Sequence, residues 1–149
     1  MASEPGGELL RIWIKRKSGE PMEPVESARL ESGRGLVGNA DQGGRRQVTL
    51  IDAGKWAETM RELGDPGVDP MARRANLLVR GIDLEQSVDR VLHLGECRLE
   101  IRGETRPCHQ MDSAWQGLRE ALKPGWRAGA FAEVLEGGEI AIGQVVAWE

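Results

Sequence analysis

Near its N-terminus the chain alternates: Leu10, Ile12 and Ile14 are separated by Arg11, Trp13 and Lys15, the period of a strand with one buried face. Pro21 and Pro24 interrupt that pattern, and Val25 to Leu30 can pair as another strand. Gln47 to Ile51 reads as a short buried strand, and so does the apolar run Leu77-Leu78-Val79. Val88 to Leu94 and Cys97 to Arg102 flank Gly95-Glu96 and predict two strands joined by a tight turn. Cys97, Leu99 and Ile101 then share one face, which makes Cys97 a buried structural thiol. Ala130 to Leu135 and Ile140 to Trp148 are the last strands, and Gly137-Gly138 between them predicts a hairpin.

Two segments carry the helical period instead. Asp52 can cap a helix whose apolar positions Trp56, Met60 and Leu63 recur at i, i+4 and i+7, with Gly64 and Pro66 ending it. Asp112 can cap a second, with Trp115, Leu118 and Leu122 on one face and Lys123-Pro124-Gly125 as its stop. About seven strands, two or three short helices and no regular strand–helix–strand alternation predict a β-rich fold, mainly β or α+β. Its expected form is a strongly curved mixed sheet or a closed β-barrel.

The 149 residues fit a single domain, 1–149, large enough for an independent core, with an irregular start over 1–8. The 20 glycines agree with short strands joined by tight turns. Lys and Arg number 20 against 24 Asp and Glu, so the net charge of −4 gives no support to a nucleic-acid partner. No apolar run follows a basic start and no 18-residue apolar stretch exists, so neither a secretory signal nor a membrane span is expected. Two cysteines without framework spacing suit the cytoplasm, where a thiol stays reduced. Arg11, Lys15, Arg16 and Lys17 read as the guarded edge of a solvated strand.

Candidate chemistry gathers in Gly103-Glu104-Thr105-Arg106-Pro107-Cys108-His109-Gln110-Met111-Asp112. A proline-stiffened turn there carries a thiol between an arginine and an imidazole, and nearby cations favour the reactive thiolate. A cysteine packed as a small hydrophobe is the plainer reading. Gly33 to Gly44 holds glycines at 33, 35, 38, 43 and 44 and runs into Arg45-Arg46, which together offer backbone amides and guanidinium groups to an oxyanion. The spacing matches neither a P-loop nor a dinucleotide fingerprint. Arg73 and Arg74 point to opposite sides if extended, so one of them at most faces any pocket. Asn76 offers a donor and an acceptor, to a turn or to a ligand. His93, Cys97, Cys108 and His109 do not have the spacing of paired zinc knuckles.

The string Gly-Glu-Thr-Arg-Pro-Cys at 103–108 resembles the signature of the MOSC family, the domain named for the C-terminal part of molybdenum-cofactor sulfurases. Residues 35–48, 73–77 and 130–135 with 138–140 agree with it in family order, from about residue 22 to the end. The resemblance implies a β-barrel that holds molybdopterin, the pterin form of molybdenum, and a cysteine that carries sulfur as a persulfide or ligates the metal. Carried onto this chain, Cys108 is the catalytic and metal-binding residue. Arg45, Arg46, Arg73, Arg74, Asn76 and Arg106 are the expected cofactor-binding residues, since a phosphate takes arginines and a pterin edge takes amides. Two departures stand out. Gly38-Asn39-Ala40-Asp41-Gln42 replaces the frequent Gly-Asp-x-His, and Gly143-Gln144 replaces a frequent Gly-Asp. Longer relatives are fused to a pyridoxal-phosphate-dependent sulfurase, so pyridoxal phosphate would belong to a partner enzyme here. The expected partners are a small-molecule substrate and a cysteine-desulfurase-type sulfur donor or a molybdoenzyme. Sulfur transfer or molybdenum-dependent reduction through Cys108 is the first functional expectation. The alternative is a non-catalytic binding module for a phosphorylated small molecule, with Cys108 incidental.

Overall fold

A computed structural model describes residues 6–149. Its strands are β1 (Gly7–Ile14), β2 (Glu23–Val25), β3 (Ser27–Glu31), β4 (Gly35–Leu36), β5 (Val48–Asp52), β6 (Leu77–Arg80), β7 (Val91–Leu94), β8 (Cys97–Glu104), β9 (Ala130–Glu136), β10 (Gly138–Ala141) and β11 (Val145–Trp148). Seven of them follow the order β11-β7-β8-β9-β5-β6-β1 and close into a barrel where Gly7 of β1 meets Val146 of β11. β5 and β6 run parallel, with Leu50 opposite Leu77, and the other barrel pairs are antiparallel. β2 extends the sheet beside β1, and β10-β3-β4 form a small second sheet.

A parallel pair needs a crossover, and here it is the helix α1 (Ala53–Glu62) followed by a 3-10 turn at Pro70–Arg73. Asp52 caps α1 as the sequence predicts, accepting from the Gly54 amide at 2.8 Å. Trp56 and Met60 are buried beneath it with Met111, Leu118 and Leu122. Inside the barrel Leu9, Leu50, Leu77, Leu92, Leu94, Leu99 and Val146 are fully enclosed, and Cys97 lies among them. Burial pushes the Cys97 thiol above its ordinary value, as befits a structural cysteine.

Several expectations are corrected. β1 is apolar on both faces: Leu9, Ile12 and Ile14 enter the barrel, whereas Trp13 packs outside with Met22, Ile51 and Leu78. A register shift between Leu9 and Arg11 produces this break in alternation. Gly7 and Glu8 already belong to β1, Gly6 precedes it without regular structure, and the rest of the expected irregular start, 1–5, lies outside the described residues. Val25 to Leu30 divides at Glu26 into β2 and β3, and Val88 is exposed ahead of β7. The Gly137-Gly138 pair makes no hairpin, because β10 leaves β9 to pair with β3. A side chain at Gly137 would meet the Leu30 carbonyl at 2.3 Å, so the glycine serves that close crossing.

The segment after Cys108 also differs from one continuous helix. It folds as α2 (Gln110–Ala114) and α3 (Leu118–Ala121), broken where Gly117 adopts φ +89. Asp112 accepts from the Arg119 amide at 3.1 Å and so caps the second piece. Trp115 is left exposed while Leu118 and Leu122 are buried.

Candidate functional site

Where the parallel pair meets β1, buried polar groups replace the apolar core. Asn76, just before β6, accepts at Oδ1 from the Thr49 amide at 3.1 Å and the Thr49 hydroxyl at 3.2 Å. Its Nδ2 donates to the Trp13 carbonyl at 3.2 Å and to Asn39 Oδ1 at 3.3 Å. Asn39 Oδ1 also accepts from the Lys15 amide at 2.8 Å, while Nδ2 donates to the Asp41 carbonyl at 3.2 Å. An amide at position 39 can accept and donate at once, which a carboxylate cannot. Gln42 closes the arrangement by donating to the carbonyls of Leu36 and Asn39. The glycine-rich loop is thereby pinned to the barrel end through satisfied hydrogen bonds that are buried or partly buried.

This framework floors a cavity of about 440 Å³ whose walls include Lys15, Arg46, Arg74, Gln47 and Asn76. Lys15 pairs with Asp41 across the loop. Arg74 sits in the left-handed region at φ 63, and its guanidinium donates to the Glu20 carbonyl at 2.7 Å. Backbone strain of this kind in a non-glycine residue collects at ligand sites. The left-handed turn explains how Arg73 and Arg74 part: Arg74 lines the cavity, and Arg73 turns inward.

Arg73 is 6% exposed. Its Nε donates to the Ala128 carbonyl at 2.8 Å, but its NH2 nitrogen is buried without a hydrogen-bond partner. Burial first, and repulsion from Arg46 second, bring its pKa down to about 10, with Cys108 acting in the opposite sense. A buried cation that feels another cation and is short of a partner is costly unless something negative completes it. The Ala128 carbonyl also accepts from the Thr105 hydroxyl at 2.7 Å, which ties Arg73 to the end of the strand leading to the cysteine turn.

Cys108 is exposed on the turn between β8 and α2, where its carbonyl accepts from the Met111 amide at 3.0 Å. Arg73 lies within electrostatic reach of both Arg46 and Cys108. Among the described residues no three His, Cys, Asp or Glu side chains converge as a metal cage. The remaining expected residues fall elsewhere. Arg45 is exposed and does not line the cavity. Arg106 lines a separate cleft with Glu104, Pro107, Arg119 and Lys123. Lys15 is the wall residue that sequence patterning hides, because it reads as the polar end of a strand edge.

The fold has solved counterparts. The YUAD protein from Bacillus subtilis superposes with a TM-score of 0.82 at 18% identity, over 98% of this chain and 97% of that one. YiiM from Geobacillus stearothermophilus gives 0.77 at 14% identity over 96% and 75% of the two chains. YiiM from Escherichia coli gives 0.72 at 15% identity over 95% and 69%. At these identities the likeness speaks for the fold. No curated protein sequence matches the chain significantly. The MOSC domain model matches residues 33–147, a span that includes the pinned loop and the Cys108 turn, and the chain belongs to the MOSC domain family.

Proposed function

We propose that the protein binds the phosphorylated pterin form of molybdenum and works through Cys108, as a sulfur carrier or as a reductase-type domain. The observation that carries this reading is Arg73, an enclosed guanidinium with an unsatisfied NH2 within electrostatic reach of Arg46 and of the sulfur. A phosphate meets that requirement, since it offers acceptors and negative charge together. Lys15, Arg46 and Arg74 line the cavity and would hold it, with Arg73 adding positive charge from the interior, while Asn39 and Asn76 keep the loop in place. When bound, the cofactor would supply a redox-active metal for which a thiolate can serve as a ligand.

Sulfur carriage needs only the protein's own thiol and a persulfide donor. The Cys108 thiolate attacks the outer sulfur of the donor, the donor's thiolate leaves, and a persulfide remains on Cys108. The donor would be a partner enzyme of the cysteine-desulfurase type, and pyridoxal phosphate would act there. A second reading has its own support: Lys15, Arg46 and Arg74 form cavity walls to which Cys108 does not contribute. That favours a module binding a phosphorylated small molecule with the thiol incidental.

Metal analysis after growth with molybdenum, combined with persulfide mass spectrometry, separates the two. Cys108→Ser is expected to abolish persulfide formation or metal retention. Unchanged labelling would instead favour the binding module.

A further inference from the structure

Beside the cationic cavity lies a second cleft of about 480 Å³, with different walls. Pro21, Met22, Val68, Met71, Ala72 and Ala114 make it largely apolar. Met22 and Arg74 border both spaces, and Gln110 with Arg74 joins the cleft to a smaller recess that reaches Lys15. The result is one trough with a charged end and an apolar end. Gln110, two residues beyond Cys108, stands at the junction.

We propose that this cleft is a second ligand subsite, for a planar, mainly apolar organic molecule with a carbonyl-type edge and no positive charge. The proposal rests on reading the neighbouring cavity as the cofactor site, because that leaves the cleft to the reacting small molecule. Its volume falls within the span of about 300–1,000 Å³ usual for small-molecule sites. Thioethers pack well against aromatic rings, and half-buried Met71 supplies one, with the more deeply buried Met22 behind it. Gln110 and Ser113 are exposed polar groups on the cleft wall, and the turn that carries them is held by backbone bonds and by Asp112. They can therefore face a ligand's edge. Arg74 is fixed by its Glu20 contact and disfavours a cation. Asp69, the cleft's carboxylate, is engaged by Arg11 at 3.0 Å and by the Met71 amide at 2.9 Å, so it does not reverse that preference.

Methionine methyl NMR on the full chain tests the assignment with three probes: nicotinamide, its cationic analogue 1-methylnicotinamide, and inorganic phosphate. Nicotinamide should shift Met71 and Met22 and leave Met60, which is buried under α1, unmoved. The cationic analogue should bind at least about ten-fold more weakly, the size expected for one misplaced charge. Ala114→Phe alters an exposed position, so the fold should survive, and it should lower nicotinamide affinity by about ten-fold while phosphate still moves Met22. Gln110→Ala should cost several-fold. An unmoved Met71, or equal binding of the neutral and cationic rings, overturns the proposal. If nicotinamide moves Met71 while phosphate leaves Met22 alone, the cleft assignment stands and the cofactor reading of the cavity falls.

Discussion

Arginines on two sides of the same barrel meet opposite fates. On the outer face of β7, β8, β9 and β11, Arg98 donates to Glu149 at 2.9 and 3.0 Å and to Glu136 at 3.2 Å. Arg102 Nε lies 2.7 Å from Glu133, an ionic contact whose angle falls short of a hydrogen bond. Across the molecule Arg73 feels the charge of Arg46 and keeps an unsatisfied nitrogen in the interior. Arg98 Nε is also without a hydrogen bond, but its guanidinium has carboxylate partners and that of Arg73 has none among the described residues. Identical chemistry serves cohesion where carboxylates answer it and leaves an uncompensated cation where they do not. Surface pairs contribute little each, about 0–1 kcal/mol. The unanswered arginine instead burdens the fold, by about 3 kcal/mol if its lowered pKa is taken at about 1.4 kcal/mol per pH unit.

The strongest way to break this contrast is at the floor of the cavity. Asn76→Ala strips partners from Thr49 and Trp13 in a buried setting, so denaturant melts should show a loss of about 3 kcal/mol. A loss below about 1 kcal/mol would mean that water replaces the asparagine freely. Next comes Arg73→Met. The Ala128 carbonyl keeps its Thr105 donor, so stability should hold or rise by about 1–3 kcal/mol while phosphate affinity drops by about ten-fold or more. Destabilisation would show that the guanidinium stabilises the fold. The sign is the same throughout the neutral range. Below about pH 10 Arg73 is charged in both folded and unfolded chains, and stability should rise only as pH passes that value, where the folded form sheds its proton first.

Smaller effects belong to the paired face. Arg98→Met should cost at most about 1 kcal/mol and leave phosphate binding untouched. Smallest of all is a titration. Arg98, through its hydrogen bond, holds the Glu149 carboxylate below the usual range, with His93 adding to the shift. Its contribution is complete above the unfolded carboxylate value and fades as pH falls through the folded one. Carboxyl NMR of Arg98→Met should place the Glu149 midpoint nearer the ordinary value.

Local chemistry made much of the chain readable. Asp52 and the Trp56–Met60 face fix α1 within a dozen residues, and the alternation around Cys97 correctly places that thiol inside. What stayed hidden depends on distant partners. Asn76 reads equally as a turn or a ligand contact until Trp13 and Asn39 arrive from other strands. Lys15 becomes a cavity wall only because the glycine loop folds back over β1. Arg73 and Arg74 separate through a left-handed residue that no arginine announces. Asp112 fits an N-cap wherever a helix begins nearby, so the sequence could not say which of two pieces it would serve.

The Ala128 carbonyl, accepting from Arg73 and Thr105 together, gives the guanidinium and the cysteine strand a common anchor. Its neighbour Gly129 has φ +106, and a side chain there would collide with the Leu50 carbonyl at 2.0 Å. A methyl group added at that glycine would touch neither the sulfur nor the arginine. It would nevertheless shift the peg on which both hang, so damage to the chemistry could begin at a position with no chemistry of its own.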